Sequence, residues 1–194
     1  MTSEQSFQRS DLVGTQVITR DSGKRLGVVS QLWVDIDRRE VVALGLQESA
    51  LTGVVSNIEQ TMLMRDVQQI GDVILVENDS VLDDDVDVTA FSPLINCEVI
   101  TETGELLGKV RGFRVDPDGK ILTILIASLG LPRIPDQLIS TYELSTDEIV
   151  SSSPDRIIVF EGSEQKLTQV TVGILERLGI GNPPWDRGDM GYKT

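Results

Sequence analysis

The stretch Val17-Ile-Thr-Arg-Asp-Ser-Gly23-Lys-Arg-Leu26-Gly27-Val-Val29 recurs as Val99-Ile-Thr-Glu-Thr-Gly104-Glu-Leu-Leu107-Gly108-Lys-Val110, and this recurrence decides the fold. Each copy reads as a short apolar strand, a polar turn carrying a glycine, and a Leu-Gly step into a second strand. Glycine supplies the positive φ that so tight a turn needs.

The likeness extends outward from these stretches. Trp33-Val-Asp35-Ile-Asp37 lies opposite Arg114-Val-Asp116-Pro-Asp118, and Val41-Val-Ala-Leu44-Gly-Leu46 lies opposite Ile121-Leu-Thr-Ile-Leu-Ile126. Asp116-Pro-Asp-Gly119 is a turn signal, with Pro presetting φ and Gly accepting the left-handed position. A last strand closes each copy, Asp72-Val-Ile-Leu-Val76 and Asp155-Arg-Ile-Ile-Val159. The spacing predicts a mainly β protein of two units, 9–79 and 92–161, each a small barrel or sandwich of five or six strands. The third and fourth strands of each unit alternate little and are expected to be buried on both faces.

Residues 80–91 are acidic and irregular and read as a linker. Beyond the second unit, Leu167, Val170, Ile174, Leu175 and Leu178 recur at helical spacing, which predicts an amphipathic helix over 163–179. Glu164 in its first turn and Arg177 in its last suit the helix dipole. Gly173 costs that helix about 1 kcal/mol relative to Ala, so it needs a docking surface. Gly179 and Gly181 stop it, and residues 180–194 form a Pro- and Trp-containing tail around Pro183, Pro184 and Trp185.

Composition narrows the function. The 194 residues are 40% hydrophobic but only 4% aromatic, so Val, Ile and Leu must fill the core, as suits pleated strands. A net charge of −14 and a pI of 4.3 repel phosphate backbones and anionic lipid and keep the chain soluble. Cys97 is the single cysteine, which excludes an internal disulfide and fits a reducing compartment. Residues 1–10 lack the apolar core of a secretory signal. The longest largely apolar stretch, Ile121 to Leu131, falls short of the roughly 20 residues that cross a bilayer.

The module Leu12-Val-Gly14-Thr-Gln-Val17, Gly23-Lys-Arg-Leu26-Gly27-Val-Val29 and Val34-Asp35 resembles the PRC-barrel family. So does its second copy, Leu94-Ile-Asn96-Cys-Glu-Val99, Gly104-Glu-Leu-Leu107-Gly108-Lys-Val110 and Val115-Asp116. That family includes the cytoplasmic domain of the photosynthetic reaction centre H subunit and the C-terminal domain of ribosome-maturation factors. Asn96 stands where the first copy has Gly14, a tolerable exchange because Asn also enters left-handed geometry. The resemblance implies two tandem PRC-type barrels. The layout of two copies with a Leu-Gly-Ile-Gly-Asn-Pro-Pro-Trp tail is similar to cyanobacterial and plastid PRC-barrel proteins. It implies a role in assembling or regulating photosynthetic membrane complexes.

Catalytic chemistry finds little to work with. The absence of histidine removes Ser-His-Asp and Cys-His triads, zincin motifs and imidazole metal sites. Cys97 has no basic partner in sequence and reads as a buried strand residue. Gly104-Glu-Leu-Leu-Gly108-Lys109-Val110 fails as a Walker loop: three residues separate the glycines, and Val110 replaces the hydroxyl that holds Mg²⁺. Asp83, Asp85 and Asp87 open like a calcium loop, but Val88 and Leu94 occupy the Gly and Glu positions, so a solvated acidic linker is expected. Asp35/Asp37 and Asp116/Asp118 place two carboxylates on one face of a strand. Their position before turns favours bonds to their own backbone.

The expected function is therefore a non-catalytic adaptor or assembly factor with no cofactor and no metal. The expected partner is a protein complex, by resemblance a photosynthetic membrane complex met from its cytosolic or stromal side. The candidate partner-binding residues are Leu167, Val170, Ile174, Leu178, Pro183, Pro184 and Trp185, since Trp beside Pro suits a partner groove. The equal alternative is that Trp185 and the helix stripe pack back on the chain's own barrels. The alternatives are a ribosome-maturation-type factor binding a ribosomal protein, and a carboxylate-only enzyme or metal-binding protein. The expected location is cytoplasmic, peripheral at a thylakoid or other membrane through a protein partner.

Overall fold

The computed structural model describes residues 5–48, 60–83, 85–127 and 139–178. The chain is mainly β and divides into two compact units. The first takes the chain up to Pro93 together with Arg114–Leu122; the second takes Leu94–Phe113 and the chain from Thr123 onward.

In the first unit β1 (Phe7–Gln8) leads into a single helical turn, α1 (Arg9–Leu12). That turn is started by a capping box in which the Gln8 N–H donates to Asp11 Oδ2 at 2.9 Å. Then follow β2 (Gln16–Thr19), β3 (Arg25–Asp35), β4 (Glu40–Gln47), β5 (Gln60–Leu63), a 3-10 turn at Met64–Asp66, β6 (Val67–Ile70) and β7 (Ile74–Val76). The strand order is β5-β4-β3-β2-β7-β6, with β2 and β7 parallel and the other neighbours antiparallel. Val17, Leu32, Ala43, Met62 and Val76 lie in the core without measurable exposure.

The same unit holds the 114–122 turn of the second sequence copy. Val41 N–H donates to the Gly119 carbonyl and Ile121 N–H to the Arg39 carbonyl, both at 2.8 Å, while Phe7 and Gln8 pair with Val115 and Arg114. Gly119 has φ +92°, and a Cβ there would stand 2.8 Å from Met64 Cγ. No other residue meets both demands.

The second unit repeats the plan. β8 (Glu98–Thr101), β9 (Leu106–Val115), β10 (Ile121–Ala127) and β11 (Thr141–Ser145) are followed by a 3-10 turn at Thr146–Glu148. β12 (Ile149–Ser152), β13 (Arg156–Val159) and a further 3-10 turn at Ser163–Lys166 come next. β14 (Thr168–Thr171) and a helical turn, α2 (Ile174–Arg177), complete the described chain. The order is β12-β13-β8-β9-β10-β11-β14, and β8 and β13 are again the parallel pair.

The Leu-Gly steps now have a cause. β2 and β3 shift register between Val17 and Ile18, and β8 and β9 shift between Val99 and Ile100. At these bulges the backbone of the glycine closes on the end of the following strand. A Cβ on Gly27 would stand 2.8 Å from the Gln47 carbonyl oxygen, and one on Gly108 would fall on that of Ala127. A buried threonine pins each preceding hairpin. Thr19 Oγ1 accepts from Lys24 N–H, and Thr101 Oγ1 from Glu105 N–H, both at 3.0 Å. Asn96 adopts φ +71° where Gly14 has +89°. The Asn96 N–H donates to Val110 as the Gly14 N–H does to Val29, each at 2.8 Å.

Two expectations are corrected. The sheets are not closed barrels: among the described residues no pairing joins β5 to β6 or β11 to β12. Instead the 3-10 turn between those strands carries the chain from one end of the sheet toward the other. The residue that opens each turn, Met64 or Thr146, is buried there. The amphipathic helix expected over 163–179 is also not formed among its described residues, 163–178. Its span holds a 3-10 turn, the strand β14 paired antiparallel with β11, and the single turn of α2. Thr168, Val170, Thr171 and Val172 favour extended backbone, Gly173 disfavours a helix, and the edge of β11 offers ladder bonds. The expected full burial of the fourth strands holds for their later halves, Ala43–Leu46 and Ile124–Ala127, whereas β3 and β9 alternate over much of their length.

Candidate functional site

Equivalent positions in the two copies carry opposite chemistry where the hairpin after β2 or β8 meets the strands β6–β7 or β12–β13. In the first unit Arg20 Nη1 donates to Gln68 Oε1 at 2.9 Å, Gln68 Nε2 donates to Glu77 Oε2 at 2.6 Å, and Lys24 pairs with Asp79 at 2.7 Å. Each polar group there is answered by another of the same unit.

The strand ladders fix the counterparts. Arg20 N–H donates to Val76 O as Glu102 N–H does to Val159 O, so Arg20 corresponds to Glu102 and Glu77 to Phe160. Val67 faces Val76 as Ile149 faces Val159, so Gln68 corresponds to Val150. Thr19 with Lys24 matches Thr101 with Glu105. The bonded set of the first unit is thus replaced by Glu102, Val150 and Phe160. Val150 and Phe160 are left 43% and 46% exposed.

This difference extends over the whole unit. Among the described residues every large apolar side chain left exposed belongs to the second unit: Leu106, Val150, Phe160, Val170, Val172, Ile174 and Leu178. Three sequence-selected residues are in this group, Val170 beside β11 and Ile174 and Leu178 at α2, whereas Leu167 is half-buried where the 3-10 turn ends. Pro183, Pro184 and Trp185 lie outside the described residues. Val150 and Phe160 carry no motif or period of their own. The signal that finds them is their polar counterparts, Gln68 and Glu77, once the copies are aligned strand by strand.

The PRC-barrel domain family matches residues 4–83 and again 87–166. The chain belongs to the PRC-barrel family. No curated protein matches it. The two PRC matches fall on the two sequence copies, and β14 begins just past the second match.

Other candidate groups in the PRC copies serve their own backbone. Asp35 Oδ1 accepts from Arg38 N–H at 3.1 Å, and Asp116 Oδ1 accepts from Asp118 N–H at 3.0 Å and Lys120 N–H at 2.8 Å. Asp83 accepts from Asp85 N–H, and Asp87 accepts from both Thr89 N–H and Thr89 Oγ1. The Thr89 bonds hold the Asp87 carboxyl below its ordinary pKa. Among the described residues no three Cys, Asp or Glu side chains converge as metal ligands.

Cys97 is buried beside an open cleft of about 310 Å³ in the second PRC unit, and its thiol donates to the Pro154 carbonyl at 3.2 Å. Arg156 Nε on the cleft wall donates to Glu98 at 3.1 Å. Trp33, on β3, is half-buried. Among the described residues no helix is long and apolar enough to cross a membrane.

The start of β14 is clamped from two sides. Lys166 Nζ reaches both Glu148 oxygens at 2.9 Å, and the buried Ser163 hydroxyl donates to Glu148 at 3.0 Å. The Lys166 hydrogen bond, foremost, holds the Glu148 carboxyl below its usual range. Past β14, Gly173 N–H donates to the buried Ser140 hydroxyl at 3.0 Å. The exposed apolar residues between these anchors are therefore held in place.

Proposed function

We propose that this protein is a non-catalytic adaptor or assembly factor in which the second PRC unit contacts the partner and the first serves as a scaffold. The observation that carries the reading is the gathering, on the second unit, of all large apolar side chains exposed among the described residues. Large apolar groups held at a surface mark protein contacts, since their transfer from water supplies the association energy. The resemblance of the layout to cyanobacterial and plastid PRC-barrel proteins directs the reading to a photosynthetic membrane complex, met from its cytosolic or stromal face.

The test is affinity capture with the full chain from detergent-solubilised membranes of the source organism, read by mass spectrometry. The expected result is stoichiometric recovery of subunits of one membrane complex. Recovery of no stable partner overturns the adaptor reading, and recovery of ribosomal proteins alone replaces its target.

A further inference from the structure

We infer that the face around Glu102, Val150 and Phe160 of the second unit docks a cationic segment of a partner protein, one that sets Lys or Arg beside an apolar anchor. The inference rests on the adaptor reading and names the chemistry of the partner. Contiguity of the face follows from the ladders. The parallel pairing of β8 with β13 runs from Glu98–Arg156 to Thr101–Val159, and the next step sets Glu102 beside Phe160. In the first unit the positions of Val150 and Phe160 are occupied by Gln68 and Glu77, whose side chains are bonded to each other.

The charge pattern selects the occupant. In the first unit the hairpin end carries Arg20 and Lys24, and the strand ends beside it supply Glu77 and Asp79. The second unit has Glu102 and Glu105 at the hairpin, and Glu161 follows Phe160. Glu102, Glu105 and Glu161 are exposed and form no ion pair among the described residues. An apolar pair rimmed by unanswered carboxylates complements an apolar side chain flanked by cations. Such a rim chiefly steers and orients the encounter, while the apolar pair provides the burial. The −14 charge of the chain disfavours polyanions at the same face.

The probe is a fluorescein-labelled peptide of alternating Lys and Leu, about twelve residues long, with a Glu/Leu peptide as control. Binding to the full chain is followed by anisotropy and by amide chemical shifts. The expected result is selective binding of the cationic peptide, with shifts centred on Glu102, Val150 and Phe160. Phe160→Glu makes the protein more negative, so general charge attraction predicts tighter binding; a docking face predicts binding at least about tenfold weaker. Glu102→Arg weakens binding, whereas Asp118→Arg makes the same change in charge in the first unit and leaves it within about twofold.

Because these side chains are exposed, the variants keep the wild-type melting curve. No binding, undiminished binding by Phe160→Glu, or equal loss in Asp118→Arg and Glu102→Arg each overturns the inference. A partner captured equally by wild type and Phe160→Glu also overturns it, and leaves the adaptor reading standing.

Discussion

The two PRC copies share a frame and differ in their faces. Both have the bulge glycine, the buried threonine, one parallel strand pair (β2 with β7, β8 with β13), and the 3-10 turn that sends the chain toward the far end of the sheet. Backbone geometry holds these positions alike, because a wrong residue there meets a carbonyl oxygen or leaves a buried N–H unsatisfied. At the outer end the first copy closes its polar groups on one another, and the second presents Val150 and Phe160 to solvent. The copies thus share one backbone geometry while their outer faces carry different chemistry.

The segments that follow the copies differ in the same way. After β7 a 3-10 turn at Asp79–Val81 returns the chain to β5, where Leu82 bridges to Met62 and Asp83 N–H donates to Thr61 O at 2.8 Å. After β13 the turn at Ser163–Lys166 returns it to β11, where β14 pairs. The first return runs into the acidic stretch from Asp83 to Asp87. The second continues as Thr168-Gln-Val-Thr-Val172 without a charge. An acidic run resists further pairing at that edge, and an uncharged one lacks that repulsion.

The largest effect is expected where the frames are compared. Gly108→Ala drives a Cβ onto the Ala127 oxygen and costs about 4 kcal/mol. Gly27→Ala meets a less severe approach to Gln47 and costs about 2 kcal/mol. Urea denaturation of the two variants decides this, and equal losses would mean that the bulges are equally tight.

Thr19→Val and Thr101→Val each leave a hairpin N–H without its acceptor and cost about 1–2 kcal/mol. The copies are equivalent here, so a clear inequality in the same assay breaks the idea of a common frame.

A smaller effect belongs to the Glu148–Lys166 clamp, whose acid is 14% exposed and whose base is 60% exposed. Lys166→Met is expected to cost about 0.5–1 kcal/mol at neutral pH. Glu148 has its pKa depressed in the folded state, so the clamp is fully present above the ordinary glutamate value of 4.5. Its contribution fades as pH falls below that value through the lower folded pKa. Melting curves of wild type and Lys166→Met should therefore converge on acidification, and a gap that persists in acid rules out this linkage.

The least change in stability, within about 0.5 kcal/mol, is expected on giving the first unit the face of the second with Arg20→Glu, Gln68→Val and Glu77→Phe. Titration with the Lys/Leu peptide should then rise from one site to two. An unchanged stoichiometry would show that those three positions are insufficient for a site.

The repeat, and with it the mainly β character, was legible because strand periodicity and turn chemistry are local. Gly119 and Asp116 announce a turn wherever the chain carries them. The 163–179 segment was misread because Leu167, Val170, Ile174 and Leu178 satisfy a helical period while Thr168, Val170, Thr171 and Val172 satisfy an extended one. Only the free edge of β11 and the Ser140 hydroxyl bonded to Gly173 resolve the conflict. The opening of the sheets was hidden for a similar reason, since closure depends on which strand ends meet.

By itself the sequence determined that two copies of one β module exist, each with a glycine turn and a Leu-Gly step, and that no histidine supplies imidazole chemistry. Those are properties of residue types and their spacing. The tertiary structure decided that Arg114–Leu122 packs within the first unit, that β14 is a strand, and that Val150 and Phe160 stand exposed. Exposure and partnership depend on residues distant in the chain, brought together only when the ladders form.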